Sequence, residues 1–562
     1  MYASRAIRDI RSGSSTRSSS RVRTPMVDGE ENGSLDVNFH VLEELLAQKL
    51  ENYQLEQQEE SEGGPEAGAQ GSSLLSVGAA SNTTGSSIAH EKANKIRISS
   101  TNSINEIIHS LTFASRTEVS SQSREMLLAQ LYKLIVSKPL VIHNEESSGT
   151  NDYVDEEKIQ ALIKVFLSGD YRSSSEFSLL YRCVIALLAS DIEEFSGLAS
   201  GEFQTHIAKL VYDPPNQNVT LDNKSNLITG LVGLLLVLNN GSGAYGIDDR
   251  IKWLLHDVAD GYVQSSITLS KQVDKGETDH NTFITDKEGD AAIIGEATSR
   301  ASQEANVAIS AIHGVGCLLT LMTRGDYLNE FISSDEIIGK LVEFLDNEVN
   351  VDISKAAGRV IALIYEIYTY GEDEDENDQD YNYNAPYYEQ ESLFQIVKRL
   401  GNLSTKKVGK KDKKNVVSIF RDILNTLENY TTKEKRIEIY KKSQQGLDLL
   451  SQSTHIKLSR TRSLSINSWF LYLRLIHLKW CFSFGVHAQL VANDTIRDIL
   501  REPPSEYQLK YGKGQGTGDG DIDDDVYFTN DVHNVSEKKR TEKIRKARQL
   551  KLDDELNHLE IS

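Results

Sequence analysis

The chain has 562 residues, 39% of them hydrophobic and 26% charged, with a mean hydropathy of -0.40 and a formal net charge of -22. That length can bury a sizeable core, but the acidic balance excludes a general nucleic-acid binder, so any such contact must come from local basic segments. Three scattered cysteines in apolar surroundings, Cys183, Cys317 and Cys481, read as buried free thiols of a reducing compartment and exclude a disulfide scaffold or a zinc site.

Residues 1–100 are a low-complexity region dominated by Ser, Gly, Gln and Glu. The first stretch, "MYASRAIRDIRSGSSTRSSSRVR", shares the Arg/Ser-rich, acid-poor composition of a mitochondrial transit peptide. Asp9 interrupts its amphipathic pattern, and it reads as a basic tail. One island, "VNFHVLEELLAQKLENYQLEQQ", has helical periodicity and suits a lone helix or a short docking motif.

Residues 101–370 are a succession of helical stripes separated by polar loops, from "INEIIHSLTF" to "VDISKAAGRVIALIYEIY". A polar turn followed by an apolar helix containing Ala or Gly recurs near Phe177, Asn226, Asn306 and Ile353. The last spacing, about 47 residues, falls at the armadillo/HEAT period. The expected architecture is all-α, a helical-repeat superhelix. The polar stretch 265–300 reads as an inserted loop, which one-dimensional stacking tolerates. "LITGLVGLLLVL", the longest apolar run, is about half of the roughly 20 residues that span a bilayer.

Residues 371–390 form an acidic linker that opens with "GEDEDENDQDYNYN", and 391–504 form a second helical region. Within it, Val417, Phe420, Leu424 and Leu427 are expected to share the buried stripe of one helix. Lys410, Lys411, Lys413 and Lys414 lead into that stripe. Cations at a helix N-terminus oppose the macrodipole at a cost of a few tenths of a kcal/mol each, so these lysines belong to a loop-plus-helix start that can also touch an anion. "SWFLYLRLIHLKWCFSFG" is oily but interrupted by Arg474, His477 and Lys479, and reads as a core helix. Arg460 and Arg462 lie upstream of Ser463 and Ser465, which makes those serines candidate phosphorylation sites.

A Gly/Asp-rich linker at 505–535 precedes a basic helix at 536–562. Ser536–Lys551 carries Lys538, Lys539, Arg540, Lys543, Arg545, Lys546, Arg548 and Lys551 against two glutamates, a net +6. Apolar residues are too sparse there to hold it on a core. Its field suggests RNA or ribosome contact; a nuclear-import signal and a plain solvated helix are the alternatives.

Enzymatic constellations fail on the residues. The chain has no GxxxxGK[ST], HExxH, GxSxG or CxxC. "GKGQGTGDG" lacks the strand before it and helix after it that a nucleotide cradle needs. "DGDIDDD" places Asp519, Asp521 and Asp523 like the first ligands of an EF-hand but lacks its glycine and its final glutamate. His313 and His477 sit in apolar helices and read as satisfied core residues. A non-enzymatic protein without cofactor, metal or small-molecule substrate is expected.

Five short motifs in order resemble the interferon-related developmental regulator family. "AAGRVIALIYE" is similar to its AAGExxALLxE helix, with Arg359 at the family's Glu. "KKDKKNVVSIFRDILNTLE" resembles KxDKRxQRSxFRDVLxxxE through Asp412, Lys413, Ser418, Phe420, Arg421, Asp422 and Leu424. "IKLSRTRSLSINSW" is similar to IKFGxExMYIDSW at Ile456, Lys457, Ile466, Ser468 and Trp469. "GVHAQLVANDTIRDILREPP" resembles GMxxHLxxNxxLRDIFxLGPP, with Gln489 at the family's His, and "KKRTEKIRKAR" resembles its KARTKARSK segment. The resemblance implies an armadillo-type N-terminal region, a smaller C-terminal domain and no known catalysis. It implies a regulator of gene expression in nucleus and cytoplasm, linked to corepressor-type or ribosomal complexes. Two functions are therefore expected: a protein-interaction scaffold in transcriptional co-regulation, or a ribosome- or RNA-associated translation factor whose basic helix contacts rRNA.

Overall fold

The computed structural model describes residues 103–503 apart from breaks at 114–120, 200, 242–245, 280–286, 335–336, 348–349, 371–384, 403–409, 445–449, 452 and 459–461, together with 531–533. Its plan is six helix pairs. They are α1 (Ile104–Phe113) with α2 (Ser121–Ser137), α3 (Glu156–Leu167) with α4 (Ser174–Ser190), and α5 (Gly201–Tyr212) with α6 (Leu221–Asn239). Then come α7 (Asp260–Asp279) with α8 (Lys287–Leu319), α9 (Ile337–Leu345) with α10 (Val351–Ile367), and α11 (Gln390–Gly401) with α12 (Lys410–Tyr430). Each odd-numbered helix packs on its even-numbered partner, and the even-numbered helices pack on one another in order, α2 to α12. The fold is the all-α helical-repeat superhelix that the periodicity suggests.

Local chemistry sets the boundaries. Asp155 accepts from the Lys158 amide at the start of α3, Ser173 from Glu176 at α4, Thr220 from Asn223 at α6, and Asn350 from Asp352 and Ile353 at α10. Each satisfies amides that a helix start leaves without an intrahelical partner. The inner row is buried on nearly every side: in α6 the residues from Leu227 to Val237 are all inside. A helix apolar all round belongs to a core. The apolar α6 is long enough to cross a membrane by length and composition, but most of it is covered by neighbouring helices. Gly358 sets the approach of α10 to α12, since a Cβ there would meet Ile423 Cδ1 at 2.8 Å.

Three expectations change. The stretch 265–300 is not a loop over its described length: α7 runs to Asp279, α8 begins at Lys287, and the two pack together. In α12 the buried stripe is Ile419, Phe420, Ile423 and Leu427, while Val417 and Leu424 lie at its margin. A β-hairpin also interrupts the helices. β1 (Thr454–Lys457) pairs antiparallel with β2 (Arg462–Ile466), and β2 with β3 (Asp531–His533). Ile456, Leu464 and Ile466 alternate with His455, Lys457 and Ser465, a period of two too short to stand out in the sequence.

After α12, a two-residue turn returns the chain as α13 (Lys433–Gln444), and the hairpin leads to α14 (Trp469–Phe482). Helices on both sides of the 371–390 segment share one hydrophobic core, which extends from Ile104 to Leu500.

Candidate functional site

The side of the inner row left open by the outer helices is where a superhelix would take a partner. Here it holds α14. This helix reads WFLYLRLIHLKWCF, and twelve of its fourteen residues are buried. At 1.5 Å per residue it is about 21 Å long. Six helices side by side at 8–10 Å would span about 40–50 Å if laid flat. Yet α14 hydrogen-bonds to five of the six inner helices and to Thr320, the residue that follows the sixth, α8.

The bonds follow helix order in reverse. At its N-terminus, Trp469 Nε1 donates to Thr426 Oγ1 of α12 at 2.9 Å. The amides of Trp469 and Phe470 both donate to the Glu366 carboxylate of α10, each at 3.1 Å. Ser468 caps the same turn, accepting from the Leu471 amide, and its hydroxyl donates to Glu502 at 2.9 Å. Mid-helix, Arg474 donates to the Thr320 carbonyl and hydroxyl just beyond α8, each at 2.8 Å. It also reaches Asn240 Oδ1 beyond α6 at 3.0 Å and the Ile499 carbonyl at 2.9 Å. Near the C-terminus, Trp480 Nε1 donates to Asn226 Oδ1 of α6 at 3.0 Å, and Arg182 of α4 stacks 4.3 Å from the Trp480 ring while donating to its carbonyl at 3.2 Å. Finally Tyr132 of α2 donates to the Cys481 carbonyl at 3.0 Å.

Close approach completes the fit. A Cβ on Gly230 would meet the Trp480 and Tyr181 rings at 2.6 Å, and one on Gly233 would meet Cys481 Sγ at 2.6 Å. No larger residue at these positions of α6 leaves room for α14.

Electrostatics explains which charges are tolerated. Arg474 has no carboxylate bonded to it; it sits at the C-terminal ends of α6, α8 and the short helix Asp494–Ile499. Three helix dipoles present their negative ends to one guanidinium. Burial lowers its pKa to about 10, so it remains a cation at neutral pH. Glu366 is raised to about 8, first by desolvation and then by Glu502, against the lowering effect of the two amides it accepts from. His477 is lowered to about 4 by burial; its Nδ1 contacts the Leu473 carbonyl at 2.8 Å. Burial also holds His313 well below the usual histidine range, with Arg359 nearby adding to the effect. Both are core residues, as expected; among the described residues, His477 Nε2 and both nitrogens of His313 have no protein hydrogen-bond partner.

The residues singled out in the sequence fall into three groups. Lys410, Lys411, Lys413 and Lys414 occupy the first turns of α12; their side chains lie outside the described residues. Lys538, Lys539, Arg540, Lys543, Arg545, Lys546 and Arg548 lie outside the described residues altogether, as do the N-terminal island and the Asp519–Asp523 cluster. Ser463 and Ser465 stand on the central strand β2, where Ser463 is half-buried and Ser465 is buried. Ser465 offers a kinase no access while the strand is paired.

A second concavity of about 780 Å³ lies between α9, α11 and the π-helical turn Trp253–Ala259, lined by His256, Asp260, Lys340, Glu343, Asp346 and Tyr387. Its charges are paired internally: Lys340 bridges Asp260 at 3.0 Å and Glu343 at 2.9 Å, and Asp346 holds Arg399. Among the described residues no group of three His, Cys, Asp or Glu stands close enough to hold a metal ion.

Sequence reading found α14 as a core helix and missed its place. The signal was present in the motifs: Glu366 ends "AAGRVIALIYE", Thr426 lies in "FRDILNTLE", and Ser468 and Trp469 end "SINSW". All four meet at one end of α14. Residues 288–428, from α8 to the end of α12, match the family model Interferon-related developmental regulator (IFRD), which contains the first two of these motifs. The motifs at 456–469 and 485–504 lie beyond the match and flank α14 on either side. Over residues 288–428 the chain is thus similar to the interferon-related developmental regulator family, in agreement with the motifs.

Proposed function

We propose that the chain is a non-enzymatic regulator of gene expression that works as a rigid helical platform and associates with ribosomes or RNA through basic segments. The observation behind this reading is the filled groove. A scaffold that receives a corepressor along the inner row would have to displace α14, which is buried and hydrogen-bonded to five inner helices and to Thr320 after the sixth. That leaves outer surfaces and flanking segments as contact regions. The segment Ser536–Lys551, net +6 in a chain of -22, is suited to a phosphate backbone. Cytoplasm with access to the nucleus is the location that this role requires.

The test is sedimentation of a lysate on a sucrose gradient, with and without nuclease. Co-migration with ribosomal particles supports the reading. A light, nuclease-insensitive nuclear pool supports the transcriptional scaffold instead.

A further inference from the structure

The positive charge of this protein is not confined to its tail. Between Lys398 and Arg462 there are seventeen Lys and Arg against six Asp and Glu, a net +11, so the rest of the chain carries -33. This block is the α12–α13 helical hairpin with the end of α11 before it and the β-hairpin after it.

The fold turns this charge outward. Asp422 is buried and accepts from the Ser451 amide at 3.2 Å and hydroxyl at 2.6 Å. Glu428 faces Lys398 at 3.6 Å and Glu438 faces Lys442 at 2.9 Å. Arg436 is structural: it is buried, 4.2 Å from the Tyr370 ring, and donates to the Tyr430 carbonyl. Arg421, Lys435, Lys441, Lys442 and Lys457 are exposed, Lys442 while paired with Glu438, against the exposed acids Glu434 and Glu438 on α13. The two-residue turn returns the chain so that α13 packs on α12, joining the exposed cations of the two helices in one hairpin. The Ser418–Ser451 contact at 3.0 Å brings the chain leading into β1 to the same place. Lys410, Lys411, Lys413 and Lys414 occupy the first turns of α12, and cationic residues at a helix start oppose the dipole, which an anion would relieve.

The chemistry of the surface selects its partner. Among the described residues, none of the exposed large apolar side chains lies on it. A membrane surface or an amphipathic acidic peptide would need such residues to anchor. A row of cations without apolar anchors suits a phosphate backbone, and α12 and α13, about 31 and 18 Å long, offer a track for several phosphates. We propose that the α12–α13 hairpin is a second, folded RNA-contact surface, separate from the C-terminal segment. This rests on the ribosome- or RNA-associated reading above.

The test uses the full chain and a fluorescein-labelled RNA hairpin, with binding followed by anisotropy across a salt series. Two quadruple variants are compared: Arg421→Gln, Lys435→Gln, Lys441→Gln, Lys442→Gln on the hairpin, and Arg540→Gln, Lys543→Gln, Arg545→Gln, Lys546→Gln in the tail. The hairpin variant should weaken binding at least about tenfold and flatten the slope of log K against log[salt] by about 2–3, at close to one unit per lost phosphate contact. Its melting temperature should stay at the wild-type value. Should the quadruple variant melt early, the double variant Arg421→Gln, Lys441→Gln should flatten the slope by about 1–2. If hairpin variants bind like wild type while the tail variant loses RNA, the second surface is refuted and the ribosome- or RNA-associated reading stands. If both variants keep wild-type affinity and slope, the second surface and the reading both fall.

Discussion

Glu366 accepts the backbone amides of both Trp469 and Phe470, so one helix of the superhelix supplies the cap of the helix that fills it. Desolvation raises this carboxyl to about 8 in the fold against an ordinary value near 4.5. The folded state therefore holds a proton that the unfolded chain has released, and the proton's stabilising contribution is lost as pH rises through about 8. Glu366→Gln keeps an acceptor oxygen and removes the titration. The variant should gain stability relative to wild type between pH 5 and 9, followed as the difference in melting temperature. A difference independent of pH contradicts the raised carboxyl.

Arg474 closes three helix C-termini at once. Arg474→Ala leaves the Thr320 and Ile499 carbonyls without their donor, and a cost of about 1–3 kcal/mol for each buried acceptor left unpaired is expected. Arg474→Lys should recover only part of it, because an ammonium cannot reproduce the guanidinium fork. Denaturant unfolding of the two variants measures this; equal stability of Lys and Arg at this position contradicts the forked role.

The α6 glycines distinguish close approach from mere helix composition. Gly230→Val drives a side chain into Trp480 and Tyr181, and should cost at least about 1–3 kcal/mol. Gly295→Ala in α8, where a new Cβ meets nothing within 4 Å, should stabilise by about 0.5–1 kcal/mol. Thermal melts of the pair should move in opposite directions.

Phe420 has no exposed surface, and Phe420→Ala should cost about 3–5 kcal/mol. An unchanged melting temperature contradicts its burial between α10 and α11.

Much of the fold is legible in the sequence. Periodicity locates the paired helices, and the family-like motifs point to Phe420 and Trp469, both of which are buried. The phase of α12 is legible only approximately. Isoleucines at 419 and 423 compete with Val417 and Leu424 for the same stripe, and which side wins is set by α10 across the interface. The β-hairpin is hidden because nine strand residues give too little alternation to outweigh the surrounding helices. The placement of α14 is not legible at all. Its residues announce burial, but the partners that hold it, Tyr132 and Asn226 among them, lie hundreds of residues away in sequence. The basic hairpin shows in the sequence only at Lys410–Lys414, because the cations of α13 join those of α12 only when the two helices pack together.

The filled groove is tested most directly by native-state hydrogen exchange, read by mass spectrometry on peptides covering Trp469–Phe482 and Leu221–Asn239. If α14 is an integral part of the core, its amides should exchange only through global unfolding, with the same protection as α6 and the same loss in denaturant. If α14 exchanges orders of magnitude faster than α6 while α6 stays protected, the helix leaves the groove in the native state, and the groove becomes available to a partner.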